Sequence, residues 1–392
     1  MKSQKLNLLV GLAVMLAFAV AYMIGVPIQA DHAGMAIGLL GTMGVYDTTT
    51  LLEVQKVQKV PLQFFLEKAF TRQINFETEY VSFDRVSEDY RRLAPFVAPN
   101  VQGKVLGREG SEMLNYKPAY VKPKHVIDMN DPLVRQPGEA IGSGSMSPEQ
   151  RRMAIVASLL ERHKNMHLMT REWMAAKAIA DGKVTVEGEN YPKVTIDFRR
   201  DAALTVVLTG GAKWDQPTTR TPLADLKSAR ALANAKSGAV IRDVIFGANA
   251  WALFSDDTEV QALLSNQVRG SASDFAKMTD GFEDSVEYLG QLSGTNGQGL
   301  IRLWLYSAKY RDENNVLQDM VDTNTVVGVD FASVQGHRCF GAIRDGKAGF
   351  KAVDMFPKMW EDEDPWAEYL MTQSAPIMVP KEPNATFSIK VA

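Results

Sequence analysis

The most regular pattern of apolar and polar positions in the chain runs from Ser147 to Gly182. The segment Ser147-Pro148-Glu149-Gln150 places serine, proline and glutamine at the N-cap, N1 and N3 positions of a helix that opens with a capping box. Apolar residues then recur at steps of three and four, and a glycine supplies the C-terminal stop. This spacing predicts one helix of roughly 50 Å, at 1.5 Å per residue. The residues of its predicted apolar stripe are Ile155, Leu159, Met166, Met169, Trp173, Ala176 and Ala180.

Shorter patterns after this helix predict a mixture of strands and further helices. Valines at 184 and 186, and apolar residues at 194, 196 and 198, alternate around a polar turn and predict a hairpin. The other predicted elements are helices at Pro222–Ala235 and Ala248–Asn266 and β-type runs at Val240–Phe246, Leu300–Tyr310, Val316–Met320, Thr325–Val329 and Phe387–Val391, with a turn at Arg311–Asn315. Antiparallel pairs outnumber βαβ units in this order, which predicts the α+β class.

The segment before the long helix is poor in apolar residues. A short helix is predicted at Thr50–Lys59, followed by the apolar and aromatic run Pro61–Leu66. Residues 76–145 then alternate short β-type runs, at Tyr80–Phe83 and Gly103–Leu106, with proline and glycine. A stretch of this length without a core of its own predicts arms and loops that rest on another surface.

The N-terminus has a different pattern from the rest of the chain. Lys2 and Lys5 precede the uncharged segment Leu6–Ala30, which is typical of a signal peptide or a membrane anchor. A buried helix or arm is a second interpretation of this segment. A start codon assigned too far upstream is a third, because Met35 and Met43 offer later starts.

Composition narrows the classes of function. The 392 residues include 43 Lys and Arg against 46 Asp and Glu, a formal net charge of −3. A nucleic-acid binder that works by neutralising phosphates in bulk needs a clear cationic excess, which is absent here. The single cysteine, Cys339, excludes a disulfide within the chain and a zinc site built on several thiolates.

The candidate chemical groups have weak patterns. His163 and His167 are four residues apart on the long helix, a spacing that can chelate a metal, but an exposed polar helix face is the favoured interpretation because no third ligand is placed. Cys339 lies beside His337 and Arg338, which can lower the pKa of a thiol, yet its β-type flanks favour a structural cysteine.

The remaining motifs point to turns and surface loops. Gly294–Gly299 and Thr209–Gly211 lack the lysine and hydroxyl residue of a phosphate loop. The acidic run Trp360–Trp366 lacks the ligand alternation of a calcium loop, and a solvated or interface loop is expected. Asn384-Ala385-Thr386 has the pattern of a glycosylation acceptor. No catalytic residue, metal ligand or cofactor is assigned by these patterns.

Several short segments nevertheless resemble one family. They are Tyr46–Leu52, Ala119–His125, Gly210–Trp214, Ala250–Phe254, Met371–Pro376 and Phe387–Ala392. Together, and in this order from about Met43 to Ala392, they are similar to the major capsid proteins of lambda-type tailed bacteriophages, the E-protein family. The segment 1–42 has no counterpart in that pattern, so an added arm, a removable assembly segment or a misplaced start codon is favoured there over a signal peptide.

The resemblance implies the HK-ninety-seven-type capsid fold. Its expected parts are an N-terminal arm at 43–75, an extended β-loop at 76–145, a peripheral domain with a long spine helix at 146–221 and 370–392, and an axial domain at 222–369. The C-terminal strand is expected to return to the peripheral sheet. The extended loop would then be buried on a neighbouring subunit.

The resemblance also implies a function and partners. A major capsid protein assembles into hexamers and pentamers of an icosahedral shell around double-stranded DNA, which it does not bind sequence-specifically. Expected partners are a trimeric decoration protein at threefold positions, and a portal and a scaffold or protease during assembly in the host cytoplasm. An encapsulin-like nanocompartment shell is one alternative. A membrane-anchored or exported binding protein is the other.

Overall fold

The computed structural model describes residues 63–86, 93–100, 102–103, 111–135, 146–188, 191–261, 285–293, 300–312, 314–363 and 366–392. The segment 1–42, the predicted helix Thr50–Lys59 and the turn Gly294–Gly299 lie outside these residues, as does most of the run Gly103–Leu106.

The long predicted helix is the main axis of the fold. In chain order the helices are α1 Phe64–Lys68, α2 Pro148–Ala180, α3 Pro222–Ser237, α4 Ala248–Ser255 and α5 Phe331–Val334. We refer to α2 as the spine helix. It has 33 residues, and its predicted capping box is confirmed because the Ser147 and Gln150 side chains each bond to the other residue's backbone N–H. Gly182, just beyond its end, has a φ of +67°, a conformation that favours glycine.

The strands form several sheets. They are β1 Arg72–Asn75, β2 Val81–Val86, β3 Ser111–Tyr116, β4 Lys124–Asp128, β5 Lys183–Gly188, β6 Tyr191–Asp197, β7 Thr205–Val207, β8 Asp243–Phe246, β9 Val286–Ser293, β10 Leu300–Tyr306, β11 Lys309–Arg311, β12 Leu317–Asp319, β13 Thr325–Val329, β14 His337–Phe340, β15 Phe356–Glu363, β16 Trp366–Gln373, β17 Pro376–Val379 and β18 Thr386–Lys390. Most pairs among these strands are antiparallel. The parallel pairs are β1 with β14, β8 with β10, and β7 with β18.

A six-stranded sheet in the order β7-β18-β13-β8-β10-β9 has apolar side chains on both faces. On one face, Val244 and Phe246 of β8 and Phe387 of β18 pack with α3 and α4 in one hydrophobic cluster. On the other face, Ile245 belongs to a second cluster that contains α1 and the C-terminal half of the spine helix. Because alternate residues of a strand point to opposite faces, β8 is buried along its whole length.

A smaller sheet packs on the other half of the spine helix. Its order is β15-β16-β4, and β15 and β16 form a long antiparallel hairpin. Strands β2 and β3 form a separate antiparallel pair, as do β5 and β6. The β5–β6 pair confirms the hairpin predicted after the spine helix.

Several predicted bounds change in the structure. Strand β8 begins at Asp243 instead of Val240. The helix predicted over Ala248–Asn266 ends at Ser255, because Asp257 starts a new helical turn by accepting backbone hydrogen bonds from residues 259 and 260. The run predicted over Leu300–Tyr310 is two strands, β10 and β11.

The structure shows where the expected arm, peripheral domain and axial domain meet. Within the described part of the expected arm, residues 63–70 contribute to the core of this chain, where Phe65 and Phe70 are fully buried, whereas β1 is mostly exposed. The C-terminal strand β18 lies between β7 and β13 in the six-stranded sheet. Strands from the expected peripheral and axial domains therefore share one sheet, because the alternating Phe387 and Ile389 complete its apolar cluster.

Candidate assembly surfaces

The spine helix has different surroundings along its two halves. From Val156 to Met169 the buried face is formed by Val156, Leu160, His163, His167 and Leu168. The predicted stripe is wrong there, since Met166 and Met169 are each 44% exposed. In the C-terminal half the prediction is confirmed for Ala176 and Ala180, which are buried.

The histidines explain why the stripe was misplaced. His163 and His167 were expected on an exposed face, but both are buried, and their ring nitrogens lie within hydrogen-bonding distance of His125 and Thr372. Hydrogen bonds satisfy both ring nitrogens of His163 and Nε2 of His167, so a face containing two histidines can be buried. The alternation of β4, which puts His125 on the same side as the buried Ile127, was a signal that could have located this partner.

A buried ion pair fixes the start of the spine helix to the three-stranded sheet. Arg152 donates from Nε to Oε2 of Glu368 over 2.9 Å and from Nη2 to Oε1. The Glu368 side chain is fully buried, and that of Arg152 is 12% exposed. This bidentate geometry satisfies both charges and sets the register between the helix and β16.

A buried carboxylate attaches α1 to the spine helix. Glu172 accepts hydrogen bonds from the backbone N–H groups of Phe65 and Leu66, at 3.0 and 2.9 Å, and from the hydroxyl of Tyr306 at 3.0 Å. Burial raises the pKa of Glu172, although these three donors favour its charged form. Helix α1, the spine helix and β10 are therefore joined at one carboxyl group.

An arginine joins the C-terminus of the spine helix to the six-stranded sheet. Arg200 donates to the carbonyl oxygens of Ile179 and Ala180, at 2.8 and 2.9 Å, and to the hydroxyls of Thr205 and Ser388. A cation is favoured at the negative end of the helix dipole. Burial lowers the pKa of Arg200 to about 10, which leaves it charged at neutral pH.

The β2–β3 pair and the described residues between these two strands expose several apolar side chains. Phe96 is 98% exposed, Leu93 is 83% exposed and Met113 of β3 is 63% exposed. Further exposed apolar residues near the start and along the outside of the spine helix are Met129, Leu133, Val134, Met146, Met166 and Met169. These exposed side chains are candidates for contact with another molecule.

The structure shows the surroundings of Cys339 and of the acidic run, two further candidates from the sequence. Cys339 is buried, and burial raises the pKa of its thiol to about 12, so the prediction of a structural cysteine is confirmed. The acidic run Trp360–Trp366 was expected to be a loop, but residues 360–363 are the end of β15, and β16 begins at 366. Backbone pairing extends to Glu363, which is opposite Trp366.

The remaining motifs are also placed. Residues 210–212, within and after Thr209–Gly211, form a short 3₁₀ turn. The sequence Asn384-Ala385-Thr386 is an unsuitable acceptor surface, because Ala385 and Thr386 are buried and the side-chain oxygen of Asn384 accepts from the backbone of Asp201. Among the described residues, no group of three or more His, Cys, Asp or Glu side chains could hold a metal ion. The described helices include none that is long and apolar enough to cross a membrane.

Comparison with known proteins agrees with this arrangement. The family model described as phage major capsid protein E matches residues 47–391. The major capsid protein of Escherichia phage lambda is 30% identical over 358 residues, and that of Enterobacteria phage phi80 is 31% identical over 356 residues. Each match covers 89% of this chain and 100% of the relative.

A solved structure shows the same fold. The crystal structure of a prophage capsid protein from Escherichia coli CFT073 superposes with a TM-score of 0.67 at 25% identity, over 89% of this chain and 100% of that one. The fold is therefore the HK-ninety-seven-type capsid fold, as the resemblance implied. It has an α+β architecture organised on a spine helix. On the match of the family model over residues 47–391, this chain belongs to the phage major capsid protein E family.

Proposed function

We propose that this chain is the major capsid subunit of a tailed bacteriophage, which self-assembles into hexamers and pentamers of an icosahedral shell around double-stranded DNA. The observation that carries the proposal is the match of residues 47–391 to a family of structural capsid proteins, which is not a family of enzymes. The product is the capsid of the virion, with assembly in the host cytoplasm.

The exposed apolar residues support a role in assembly. A monomer that leaves Leu93 and Phe96 almost fully exposed gains stability when a second subunit covers them, at about 25 cal/mol for each Å² of apolar area removed from water. Contacts around a capsid ring are heterologous, so one surface of a subunit meets a different surface of its neighbour. In this arrangement the exposed part of residues 76–145, around Leu93 and Phe96, is the extended loop that contacts the neighbouring subunit, while β4 stays on the spine helix of its own chain.

The finer organisation is also part of the proposal. Residues 43–75 are an N-terminal arm, 146–221 with 370–392 a peripheral domain, and 222–369 an axial domain. Strand β18 joins the last two through their shared sheet. A trimeric decoration protein, a portal and a scaffold or protease are proposed partners, on the strength of the family resemblance. The net charge of −3 suits a shell that encloses DNA without gripping it.

Electron microscopy tests the proposal directly. The full-length protein and a version that starts at Met43 would be expressed without other phage proteins and imaged after mild purification. Closed shells, tubes or hexameric rings from either version are expected. A difference between the two would define the role of residues 1–42. Monomers in both samples, with the longer one in the membrane fraction, would support the exported-protein alternative instead.

A matched pair of variants tests the exposed segment. Phe96→Ser should leave the folded subunit unchanged and reduce shell formation, because this side chain has almost no contact within the chain. Phe350→Ser is the control, since Phe350 is 65% exposed but lies in a turn before β15. Equal losses of assembly in both variants would contradict a specific role for the extended segment.

The encapsulin-like alternative predicts that the shells contain an enzyme instead of DNA. Shells isolated from cells that also contain the neighbouring genes would hold an enzyme in that case. Double-stranded DNA inside the shells is the expected result for the capsid subunit, and nuclease protection measures it.

A further inference from the structure

Three histidines and one threonine form a single hydrogen-bonded network between the spine helix and the three-stranded sheet. Nδ1 of His125 lies 2.6 Å from Nε2 of His163. The hydroxyl oxygen of Thr372 lies 3.1 Å from Nδ1 of His163 and 2.9 Å from Nε2 of His167. His125 is on β4, Thr372 is on β16, and the other two residues are on the spine helix, so the network joins all three elements. We call these four residues the histidine network.

Two arrangements of protons, with the donors running in opposite directions along the network, satisfy every contact, and the unpaired ring nitrogen of His167 favours one of them. A neutral imidazole has one N–H and one acceptor nitrogen. In the favoured arrangement, His167 donates from Nε2 to the Thr372 hydroxyl, which donates to Nδ1 of His163, and Nε2–H of His163 donates to Nδ1 of His125. Nδ1 of His167 is buried and has no partner among the described residues, and this arrangement leaves a bare acceptor there instead of a costlier unpaired N–H. The contact between His125 and His163 accommodates one proton, so protonating both rings breaks it.

The charges around the network disfavour added protons. The elements that pack against it carry charges of both signs. The charged residues are Glu149, Arg151, Arg152, Glu161, Arg162, Lys164, Arg171, Glu172 and Lys177 of the spine helix, Lys124 and Asp128 of β4, Asp354 before β15, Lys358, Glu361, Asp362 and Glu363 of β15, and Glu368 of β16. Glu368 is paired with Arg152, and Asp354 lies 3.9 Å from Arg171. Glu361 is exposed. A proton added to the network therefore meets nearby cations without a free buried acid to balance it.

We propose that the histidine network is an acid-sensitive latch: neutral, it holds β4 and β16 on the spine helix, and protonated, it releases them while the six-stranded sheet stays folded. The six-stranded sheet depends on apolar clusters and contains no histidine among its described strand residues. The two parts of the subunit therefore respond differently to acid. The latch is a property of the folded chain and does not depend on the proposed role in a shell.

The direction of the pH dependence follows from burial. Desolvation, together with neighbouring positive groups, lowers the pKa of His163 to about 4 and that of His167 to about 3, and desolvation also lowers the pKa of His125. Each pKa is depressed below the ordinary histidine value of 6.5. The contribution of the neutral network is thus fully present above pH 6.5 and is lost as the pH falls toward 4.

Amide hydrogen exchange by mass spectrometry tests the latch in the full-length protein. Protection would be measured from pH 7.5 to 3.5, corrected for the intrinsic pH dependence of exchange, in peptides covering 121–128 and 366–374 and in the peptide 386–390 from β18. The expected result is a loss of about tenfold or more in the first two peptides at a higher pH than in β18. Simultaneous loss in all peptides, or earlier loss in β18, would overturn the proposal.

Two variants separate the network from other histidines. His125→Asn places an amide oxygen where Nδ1 accepts its bond, but it cannot be protonated, so the transition should move to lower pH by about one unit. His337→Gln is the matched control, because His337 is a partly buried histidine with a pKa lowered by desolvation, stacked on Phe83 away from the network. Equal shifts in both variants, or no shift in His125→Asn, would refute the latch. If His125→Asn does not fold, the order of protection loss in the unmodified protein still decides the question.

Discussion

The six-stranded sheet and the β2–β3 hairpin region, residues 81–116, place apolar side chains in opposite environments. The sheet covers its apolar residues within the chain, and Val244, Ile245 and Phe246 are all fully buried. The hairpin region leaves Leu93, Phe96 and Met113 exposed. The first region is therefore stable in a lone subunit, whereas the second reaches a favourable state only against another molecule. A shell protein needs both properties, since it must fold before it assembles.

The largest expected effect comes from a change in the sheet. Phe246→Ala removes a fully buried ring that lies 4.8 Å from the ring of Phe254 and 5.5 Å from that of Trp251. The expected loss in free energy of unfolding is about 3–5 kcal/mol, from lost transfer energy and a residual cavity. Denaturant unfolding of the dissociated subunit measures it. A loss below about 1 kcal/mol would mean that this region is less self-sufficient than its burial indicates.

The next effect concerns the attachment of the three-stranded sheet. Glu368→Gln removes the charge that balances Arg152 and should cost about 3 kcal/mol, because breaking a buried pair leaves an uncompensated cation. The residual 12% exposure of Arg152 limits the cost. Unfolding of the variant subunit gives the value. Lys193→Gln, at an ion pair whose partners are both 65% exposed, is the control and should change stability by less than about 1 kcal/mol.

A smaller effect on the subunit is expected in the hairpin. Met113→Ser should change the free energy of unfolding by no more than about 0.5 kcal/mol, since the side chain is 63% exposed. Assembly, followed by light scattering or sedimentation, should nevertheless weaken. A loss in free energy of unfolding as large as the loss of assembly would contradict the view that the hairpin region acts in assembly and not in folding.

The smallest expected effect concerns Cys339, whose rate of alkylation should stay the same. The thiol of Cys339 is buried, and its pKa is raised to about 12, so its alkylation in the folded subunit should not accelerate between pH 7 and pH 9. A cysteine introduced as Phe96→Cys should react quickly in the subunit and slowly in shells. Rapid, pH-dependent labelling of Cys339 in the folded chain would show that its part of the core opens readily.

Local patterns in the sequence predicted the elements whose structure depends on interactions between neighbouring residues. The capping box at Ser147, the stop at Gly182 and the β5–β6 hairpin depend on neighbouring residues and were predicted correctly. The buried face of the spine helix was not, because hydrophobic periodicity counts histidine as polar. His163 and His167 are buried only because His125 and Thr372, far away in the sequence, supply hydrogen-bond partners.

The candidate assembly surface was predictable in part. The low apolar content of residues 76–145 predicted a segment that rests on another surface, and Val81, Tyr116 and Ile127 of this segment are buried in this chain. The pattern did not show which of its side chains are exposed. The acidic run after Trp360 was assigned to a loop because its charges suggested solvent. Pairing of β15 with β16 places residues 360–363 of this run in a strand, since exposed strand ends tolerate charge when backbone bonds are made.

The sequence by itself determined the long helix, the α+β class and the family, because helix caps, periodicity and ordered motifs are encoded locally. The tertiary structure decided which polar groups are buried and how distant strands share a sheet. Glu172, Arg200 and the histidine network bond to residues that are remote in sequence, and no local pattern marks those partners. A buried charge or histidine is stable only when the complete fold satisfies its hydrogen bonds, and the complete fold alone specifies that.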